Sequence, residues 1–413
     1  MQERVTNGHM IGGAACTVEE FGPGAWRSHR LEFGGVSYPY SVGHDCADRI
    51  VEELGGYDAD KLFVLTDETV YRLHGHSLVA GLRRLKPVEV VRLPPGEGMK
   101  SMSVVTSTIE SLIALGATRR SVVVALGGGV LGNLAGTVAG LLYRGVRLVH
   151  VPTTTIAAMD SVVSLKQAVN SSSGKNHIGL YHRPIAVYTD LAMLRTLPDA
   201  QLRSGLCEAT KNCLAIRPTT IPALRQLLRD SPLDSPELLL WLLEESLHAK
   251  RSVMHHDARE QAHGLVLEYG HTVGHAVELC DQRLRGVQGI SHGEAVAFGM
   301  VVAARISARM GGLSPADVAV HEDLVSTLGA PLRLLTGISP ADVLAVVRRD
   351  NKRGYLCLGD DEAAMVVLRS PGTPMGTPSC PLVPVPLDLV ESVLLELADP
   401  PGGSRLDADG TDA

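Results

Sequence analysis

Residues 121–143 read SVVVALGGGVLGNLAGTVAGLLY: a β-branched run, three glycines and an apolar stretch in direct succession. The run SVVVAL (121–126) predicts a buried strand, and the apolar stretch after Gly129 predicts a helix. Glycines at this junction would let a pyrophosphate approach the backbone N–H groups at the helix N-terminus, because a Cβ atom would block that approach. The spacing is not GxGxxG, so a tight strand-to-helix turn without a ligand stays an alternative interpretation.

The same strand signal recurs on both sides of this stretch. Further β-branched runs are LFVLT (62–66), VEVVRL (88–93), RLVHV (147–151) and IAVYT (185–189), separated by helix-like stretches such as 101–116 and 130–143. This alternation predicts a parallel sheet with crossover helices. Beyond about residue 200 strand signals almost vanish, and helix-period segments occur at 234–254, 265–280, 293–311 and 340–349.

These patterns predict two domains. We expect a Rossmann-like α/β domain over residues 31–198 and a mainly helical domain over residues 199–398. Residues 1–30 and 399–413 are polar or rich in Gly and Pro, so both ends are expected to be disordered. The Pro- and Gly-rich stretch 370–386 has neither helical nor strand periodicity and is expected to be a long surface loop.

Composition excludes several classes of function. The net charge of −7 lacks the basic excess that nucleic-acid binding requires. No run of about 18 apolar residues predicts a membrane span, and the N-terminus lacks a secretory signal pattern, so we expect a cytoplasmic protein. The seven cysteines are scattered and never form a CxxC pair, which favours reduced thiols. A metal would therefore be bound by histidine and carboxylate side chains.

Residues that bind oxyanions are concentrated between positions 152 and 179. The stretch contains Thr153, Thr154, Lys166, Lys175 and Asn176, with Asp160 among them. It follows a predicted βαβ unit, and ligands of such sheets bind at the carboxyl ends of the strands. A solvated loop would explain any one of these residues, but it explains the whole set poorly.

Three charged residues lie upstream in positions that either a ligand or solvent would explain. Asp67 directly follows the strand 62–66 and fits a ribose contact or a helix N-cap. Glu97 and Lys100 lie in the turn segment PPGEGMKS, where they would either contact a ligand or face solvent. Their residue types alone do not decide between the two.

A second polar group lies in the helical half. SGLCEATK places Glu208 and Lys211 on one face of a predicted helix, as part of a site or as a surface ion pair. EYGHTVGHAVE places His271 and His275 one helical turn apart, and His292 follows in SHGEAVAFGM. Imidazoles combined with one carboxylate are typical of a catalytic zinc site that keeps a position open for substrate.

The order of these motifs resembles the dehydroquinate synthase superfamily of sugar-phosphate cyclases. The chain carries in sequence GGGVLGNLAG, YRG, VPTTTIAAMDS, SLKQAVN, GKN, LRTLP, SGLCEATK, EYGHTVGHAVE and SHGEAVAFGM. Each motif is weak alone, but their common order spans residues 60–356, most of the chain. The resemblance implies an NAD-dependent enzyme with one divalent metal ion, zinc or cobalt.

The resemblance also implies roles for individual residues. The implied metal ligands are Glu208, His271 and His292, which places His275 in the substrate site instead of making it the equivalent of His271. The implied catalytic residues are Lys166, Lys211, Lys250, Glu268 and His275, and the implied substrate contacts are Asn133, Arg144, Asp160 and Asn176. NAD would be held by Asp67, Glu97, Lys100, Gly128, Gly129, Thr153, Thr154, Lys175, Thr196 and Leu197. Arg144 matches a residue that the family supplies from the neighbouring subunit, so a homodimer is implied.

Three positions depart from the pattern of dehydroquinate synthase itself. Asn133 replaces the Asp that usually ends the motif GGGVxGD. Gly264 and Glu268 stand where that enzyme has an Arg and an Asn near the substrate carboxylate. Loss of the Arg removes a charge-assisted bidentate contact, and Glu268 would repel a carboxylate. The departures argue against a carboxylate-bearing substrate. The segments GGGVLGN, SLKQAVN and VLEYGHTVGHA resemble those of superfamily members that act on a neutral sugar ring with one phosphate, and this resemblance implies glucose 6-phosphate as the substrate.

The implied reaction converts glucose 6-phosphate into a carbocycle for aminocyclitol (aminoglycoside antibiotic) biosynthesis. It would proceed through transient oxidation by NAD, elimination of phosphate, reduction and aldol closure, with Glu268 or His275 relaying a proton. Alternatives are a cyclase acting on sedoheptulose 7-phosphate, dehydroquinate synthase itself, a polyol dehydrogenase and a catalytically silent binding protein. The retained set of Glu208, His271, His292 and Lys166 argues against the last.

Overall fold

The computed structural model describes residues 21–172, 174–286 and 289–398. The strands in chain order are β1 (Trp26–Phe33), β2 (Val36–Gly43), β3 (Leu62–Asp67), β4 (Val88–Leu93), β5 (Val122–Gly127), β6 (Arg147–Pro152), β7 (Lys166–Ser171), β8 (Gly174–Tyr181), β9 (Ala186–Asp190), β10 (Glu362–Val366), β11 (Leu368–Ser370), β12 (Thr373–Pro374) and β13 (Leu382–Pro386).

Helices follow the strands in the first half of the chain and dominate the second. They are α1 (Ala47–Gly55), α2 (Glu68–Val70), α3 (His76–Arg83), α4 (Met102–Ala114), α5 (Gly129–Leu141), α6 (Leu191–Leu194), α7 (Asp199–Ala215), α8 (Ile221–Asp230), α9 (Pro236–Met254), α10 (His271–Arg285), α11 (His292–Arg309), α12 (Pro315–Thr327), α13 (Pro340–Val347) and α14 (Leu387–Leu397). Short 3₁₀ or π-type turns lie at Tyr71–Gly75, Glu97–Met99, Leu142–Arg144, Ala157–Ser161, Pro218–Thr220, His263–Glu268 and Asn351–Tyr355. Among the described residues, no helix is both long and apolar enough to cross a bilayer.

A seven-stranded sheet organises the first half of the chain. Its order is β1-β2-β9-β6-β5-β3-β4, with β1 and β2 antiparallel and the remaining neighbours parallel. Along β5, Val122 and Val124 pack against α1 and α3, whereas Val123 and Ala125 pack against α4 and α5. Both faces of the strand are therefore buried, which explains its unbroken apolar run. The predicted combination of an α/β sheet and a mainly helical region is confirmed.

Each strand predicted from a β-branched run forms within one residue of its predicted limits. The runs at 62–66, 88–93, 121–126, 147–151 and 185–189 correspond to β3, β4, β5, β6 and β9. Their parallel pairing places the carboxyl ends of β3, β5 and β6 side by side. The glycine segment after β5 and the Thr segment after β6 therefore lie at the same edge of the sheet.

Strands with mixed polarity escaped prediction. Residues 26–30, expected to be disordered, belong to β1, while residues 1–20 and 399–413 lie outside the described part. The stretch 152–179, interpreted as loop-rich, contains β7 and part of β8, which form a two-stranded hairpin. β8 exposes most of its length, so pairing with β7, not a buried apolar face, holds it extended. β1 pairs with β2 and buries only Leu31 and Phe33, both beyond residue 30.

Two expectations about the second half were also wrong. The stretch 370–386 is not a featureless loop, because it contains β12 and β13, and β13 pairs with β10 although it carries two prolines. Two-stranded edges tolerate proline because they leave one row of N–H groups unpaired. The segment 265–280 is not one helix: a 3₁₀ turn ends at Glu268 and α10 begins at His271. Gly270 between them has φ +79°, and a Cβ there would lie 2.8 Å from Val296 O.

Candidate functional site

Three helices bring a carboxylate and two imidazoles together. Glu208 lies in α7, and His271 and His292 are the first residues of α10 and α11. The Oε1 atom of Glu208 lies 3.6 Å from Nε2 of His271 and 3.6 Å from Nε2 of His292. Glu208 is 1% exposed, and its Oε1 has no hydrogen-bond partner among the described residues. A buried anionic oxygen without a donor is costly, and a cation held between these three atoms would compensate it.

Local structure fixes where both histidines begin their helices. The left-handed Gly270 ends the preceding turn and starts α10 directly at His271. Before His292, the Ser291 hydroxyl accepts from the Glu294 N–H, and the Glu294 carboxylate accepts from the Ser291 N–H, a capping box that starts α11. The sequence therefore sets both imidazoles at helix N-termini that face α7.

Hydrogen bonds to acceptors orient both imidazoles. Nδ1 of His271 lies 3.2 Å from the carbonyl oxygen of Tyr269, and Nδ1 of His292 lies 3.0 Å from Oε2 of Glu278. A carbonyl and a carboxylate only accept, so both Nδ1 atoms carry hydrogen, and Nε2 is the atom of each ring that would bind a metal once it is deprotonated. Burial, with nearby Lys211, lowers the pKa of His271 to about 3. Burial also acts against the charged form of His292, but Glu278 outweighs it and raises that pKa to about 9.

His275 lies beside this pair and leaves a second ligand set open. Its ring centroid is 5.1 Å from that of His271 and 5.5 Å from that of His292. The ligand atoms of the three histidines lie within 4.8 Å of one another. Burial, followed by the two neighbouring imidazoles, lowers the pKa of His275 to about 3. Geometry alone therefore permits His275 in place of Glu208.

Two buried lysines pair with carboxylates next to these histidines. Nζ of Lys211 donates to Oε2 of Glu208 at 2.5 Å, and Nζ of Lys250 lies 2.7 Å from Oδ1 of Asp160. Burial acts to lower the pKa of Lys211, but Glu208 and Asp160 outweigh it and raise that pKa. Burial likewise opposes the charge of Asp160, yet Lys250 and Lys211 hold its pKa well below the usual range. Of the two interpretations offered for Glu208 and Lys211, the surface ion pair is excluded, because both side chains are buried.

Glu268 faces a lysine that the sequence interpretation missed. Nζ of Lys352 lies 3.3 Å from Oε2 of Glu268 and 2.9 Å from Oδ2 of Asp350. Burial would raise the pKa of Glu268, but Lys352 and then His271 and His275 hold it well below its usual range. Lys352 is separated from Glu268 by 84 residues. The polar segment DNKR at 350–353 was the available signal, but it carried no motif.

The loop before α10 fills the space beside Gly264. Asp257 Oδ2 accepts hydrogen bonds from the N–H groups of Ala262 at 2.7 Å and Gly264 at 2.8 Å. Glu260 Oε2 accepts from Lys166 Nζ at 2.8 Å. A Cβ at position 264 would lie 2.9 Å from Asp257 Oδ2 and 3.0 Å from Glu260 Cβ. Asp257 and Glu260 therefore fill the space that a side chain at position 264 would need. The sequence interpretation did not single out either residue.

Small residues shape the carboxyl edge of the sheet. Gly128 is the N-cap of α5, and a Cβ there would lie 3.0 Å from Cγ2 of Thr154. Gly129 leads into the same helix N-terminus. The Thr153 N–H donates to Gly127 O at 3.0 Å, and the buried Thr153 Oγ1 has no partner among the described residues. The helix start without side chains and the unpartnered hydroxyl both suit a dinucleotide phosphate.

Three other residues expected to bind NAD lie at the same end of the sheet or next to it. Asp67 Oδ1 accepts from Val70 N–H at 2.9 Å, so Asp67 is an N-cap, one of its two predicted explanations. Thr196 Oγ1 lies 3.0 Å from Nε2 of His74, and Leu197 is half-buried against the core. These contacts neither require nor exclude a cofactor.

The hairpin of β7 and β8 contacts the loop that precedes α4. Asn170 Nδ2 donates to Glu97 Oε1 at 2.7 Å, and Lys100 donates to Asn176 Oδ1. Lys100 is buried, which lowers its pKa. The structure thus brings Glu97 and Lys100, predicted to bind the cofactor, together with Asn176, predicted to bind substrate. Asn170, which was not predicted, links Glu97 to Asn176.

Two residues predicted to bind substrate differ in their surroundings. Asn133 donates to Gly129 O at 3.0 Å and accepts from the Ala168 N–H at 3.3 Å, which ties α5 to the hairpin. Arg144 is exposed at the end of α5 with φ +67°, and no described residue pairs with its guanidinium. Asn133 therefore has a structural partner on each side, whereas Arg144 remains available.

Comparison with known proteins yields matches over nearly the whole described chain. A 2-deoxy-scyllo-inosose synthase of Streptoalloteichus tenebrarius is 45% identical over 379 residues, covering 92% of this chain and 96% of that protein. One of Streptomyces lividus is 46% identical over 366 residues, covering 88% and 94%. The crystal structure of 2-deoxy-scyllo-inosose synthase complexed with carbaglucose-6-phosphate, NAD⁺ and Co²⁺ superimposes with a TM-score of 0.83 at 36% identity, covering 90% of this chain and 100% of that one.

Two family descriptions cover the region that carries the site. Residues 90–204 match 3-dehydroquinate synthase N-terminal, and residues 205–353 match 3-dehydroquinate synthase C-terminal. The first range contains the glycine and Thr segments of the sheet edge, and the second contains Glu208, both helix-starting histidines and Lys352. The chain therefore belongs to the 3-dehydroquinate synthase family, in which it is similar to the 2-deoxy-scyllo-inosose synthases.

Proposed function

We propose that this chain is an NAD- and metal-dependent cyclase that converts glucose 6-phosphate to 2-deoxy-scyllo-inosose and inorganic phosphate, a carbon–oxygen lyase of aminocyclitol biosynthesis. The identities to 2-deoxy-scyllo-inosose synthases support the reaction class. The observation that carries the choice of substrate is the neighbourhood of Gly264, where Asp257 and Glu260 fill the space beside the position at which dehydroquinate synthase has its carboxylate-binding Arg.

The proposed metal ligands are Glu208, His271 and His292. The unpartnered Oε1 of Glu208 and the two Nε2 atoms 3.6 Å from it suit a divalent cation such as zinc or cobalt. NAD would lie along the carboxyl edge of the sheet, against Gly128, Gly129, Thr153 and Thr154, with Asp67, Glu97, Lys100, Lys175, Thr196 and Leu197 around it. When bound, NAD would supply a hydride acceptor that is regenerated in each turnover, and the cation would supply a Lewis acid for a sugar hydroxyl.

The chain's own side chains would bind and orient the sugar phosphate. The ammonium groups of Lys166, Lys211 and Lys250 offer charge-assisted hydrogen bonds to phosphate and hydroxyl oxygens, with Asp160 and Asn176 as further contacts. Glu268, ionised beside Lys352, accepts hydrogen bonds from ring hydroxyls. His275 or Glu268 would move the C5 proton that must leave before phosphate is eliminated across C5–C6.

We further propose that the active form is a homodimer in which Arg144 reaches the phosphate in the neighbouring site. Its support is the exposed guanidinium, which pairs with no described residue of its own subunit.

Phosphate release tests the proposed reaction directly. The purified protein, supplied with NAD and Zn²⁺ or Co²⁺, should release phosphate from glucose 6-phosphate and form a carbocyclic ketone without accumulating NADH. Sedoheptulose 7-phosphate and the linear, carboxylate-bearing precursor of dehydroquinate are the competing substrates. Preferred turnover of either would assign the chain to that cyclase, and NADH rising in step with glucose 6-phosphate consumption would indicate a dehydrogenase.

A further inference from the structure

We propose that Glu278 is a positioning residue that holds His292 in the orientation and tautomer needed for metal binding. This inference rests on the proposed ligand set, because it assumes that His292 is a ligand. Glu278 lies in α10, two turns after His271, and its Oε2 contacts the imidazole of His292.

The geometry is that of a carboxylate behind a metal-binding histidine. Oε2 of Glu278 lies 3.0 Å from Nδ1 of His292, on the ring edge opposite the Nε2 atom that faces Glu208. Since a carboxylate only accepts, this contact keeps the hydrogen on Nδ1 and leaves the Nε2 lone pair for the cation. Carboxylates in this position fix the ring and raise the basicity of the ligand.

Glu278 is itself held in place from another direction. Its Oε1 accepts from Lys175 Nζ at 2.7 Å and from Gln282 Nε2 at 3.0 Å, and the residue is 7% exposed. Both oxygens are therefore engaged, so the carboxylate cannot rotate away from His292 without losing two further contacts. This arrangement defines a rigid support for the imidazole.

The contact with Lys175 also joins the two halves of the chain. Lys175 lies in β8, in the hairpin that packs beside the nucleotide edge, whereas Glu278 and His292 belong to the helical half. A displacement of the hairpin would consequently move the Glu278 carboxylate and, through it, the imidazole of His292. Lys175 thus has a contact that explains its position independently of any cofactor.

Metal affinity, measured without turnover, tests the proposal. The metal is stripped from the full-length protein, and Zn²⁺ affinity is determined by competition with a chromophoric chelator. Glu278→Gln keeps the size of the side chain but removes the charge, and we expect affinity to fall about 10- to 100-fold. Glu278→Asp keeps the charge on a shorter side chain, farther from the imidazole, and should give a smaller loss of affinity. The matched control is Glu391→Gln, the same change at an exposed site on α14, which should keep wild-type affinity.

Two further measurements separate positioning from folding and from the ligand set. The visible spectrum of the Co²⁺-loaded protein should change in Glu278→Gln, and thermal unfolding of the metal-free variants shows whether the fold is retained. Wild-type affinity and spectrum in both Glu278 variants, alongside loss of metal in His292→Ala, would overturn this inference and leave the ligand set standing. Retention of metal by His292→Ala would instead remove the ligand set and this inference with it.

Discussion

Nζ of Lys352 lies 3.3 Å from Oε2 of Glu268, so this carboxylate faces a buried cation. Considered from the sequence, Glu268 was an unopposed charge that would repel a substrate carboxylate by about 4 kcal/mol at 4 Å and an effective dielectric of 20. Lys352 offsets part of that repulsion, which makes the simple electrostatic argument for substrate choice weaker than expected. The pair instead keeps Glu268 ionised, which suits its proposed role as an acceptor for sugar hydroxyls.

Removing Lys352 should lower the free energy of unfolding, because it leaves the carboxylates of Glu268 and Asp350 without a cation. Lys352→Met leaves Glu268, 29% exposed, and the more buried Asp350 without their cation, and we expect a loss of about 2 kcal/mol in urea unfolding. Adding Glu268→Gln removes one of the two unpaired charges and should recover part of the loss, with a coupling energy of about 1 kcal/mol. Strictly additive losses would show that the two side chains do not interact in solution.

Single substitutions should distinguish the two possible ligand sets. His271→Ala, His292→Ala and Glu208→Gln each remove one proposed ligand and should lower Zn²⁺ affinity by roughly two orders of magnitude, measured by equilibrium dialysis. His275→Ala should stay within about threefold of wild type, although its ring lies 5.1 Å from His271. Metal loss in His275→Ala together with retention in Glu208→Gln would show that the three histidines bind the cation.

Mixing two inactive variants tests the shared site. Arg144→Ala and Lys211→Ala should each be inactive, because each removes a phosphate or metal-side contact. If Arg144 acts in the neighbouring site, random reassortment gives mixed dimers in half of the population, each with one intact site, so roughly a quarter of wild-type activity should return. Absence of activity after verified subunit exchange would place Arg144 outside the partner's site.

His150 should make the fold sensitive to acid. It lies buried in β6 with neither ring nitrogen hydrogen-bonded among the described residues, and burial, followed by nearby His182, lowers its pKa from 6.5 to about 4. Between these values the unfolded chain binds more protons, so the stability from neutral His150 is complete above about pH 6.5 and falls as the pH drops towards 4.

The comparison with His150→Phe isolates this effect. Between pH 7 and pH 5, wild type should lose about 2 kcal/mol more unfolding free energy than the variant, measured by urea titration at both pH values. Metal-binding histidines contribute equally to both proteins. Equal losses in the two proteins would mean that folding does not lower the pKa of His150, as expected if its ring is hydrogen-bonded to water.

The sequence predicts the parts of this molecule that repeat a strong local pattern. β5 is evident because Val122 to Leu126 are buried on both faces, and His271 and His292 are identified by motifs that lie next to helix starts. β8 is not evident, because its exposed residues gain their extended conformation from pairing with β7. The extended conformation of such a strand depends on the strand it pairs with, so its own residues do not predict it.

The supporting residues of the site were missed for a related reason. Lys352 meets Glu268 across 84 residues, and Lys166 meets Glu260 across 94, so no local spacing connects them. Glu278 is only 14 residues from His292, but the contact joins two different helices. Family motifs identify residues that touch metal or substrate, whereas the residues that orient them become visible only when the helices are packed.

A substitution at Gly264 tests whether one residue separates the substrate choice of this chain from that of dehydroquinate synthase. Gly264→Arg would restore the side-chain type that binds the substrate carboxylate there. However, a Cβ at 264 would lie 2.9 Å from Asp257 Oδ2, which is fixed by the N–H groups of Ala262 and Gly264, and 3.0 Å from Glu260 Cβ. The loop must move, and with it Glu260, which holds Lys166 at 2.8 Å.

We therefore expect Gly264→Arg to lower kcat/KM on glucose 6-phosphate by about a hundredfold, equivalent to roughly 3 kcal/mol, without gaining activity on the acidic precursor. Gly264→Ala adds only the Cβ and should produce a smaller loss of the same kind, which separates the steric effect from the charge. Both are measured as phosphate release from each substrate. Turnover of the acidic precursor by Gly264→Arg would show that the loop accommodates the side chain. In that case a single arginine, not the acidic loop that surrounds position 264, would determine which sugar phosphate the enzyme accepts.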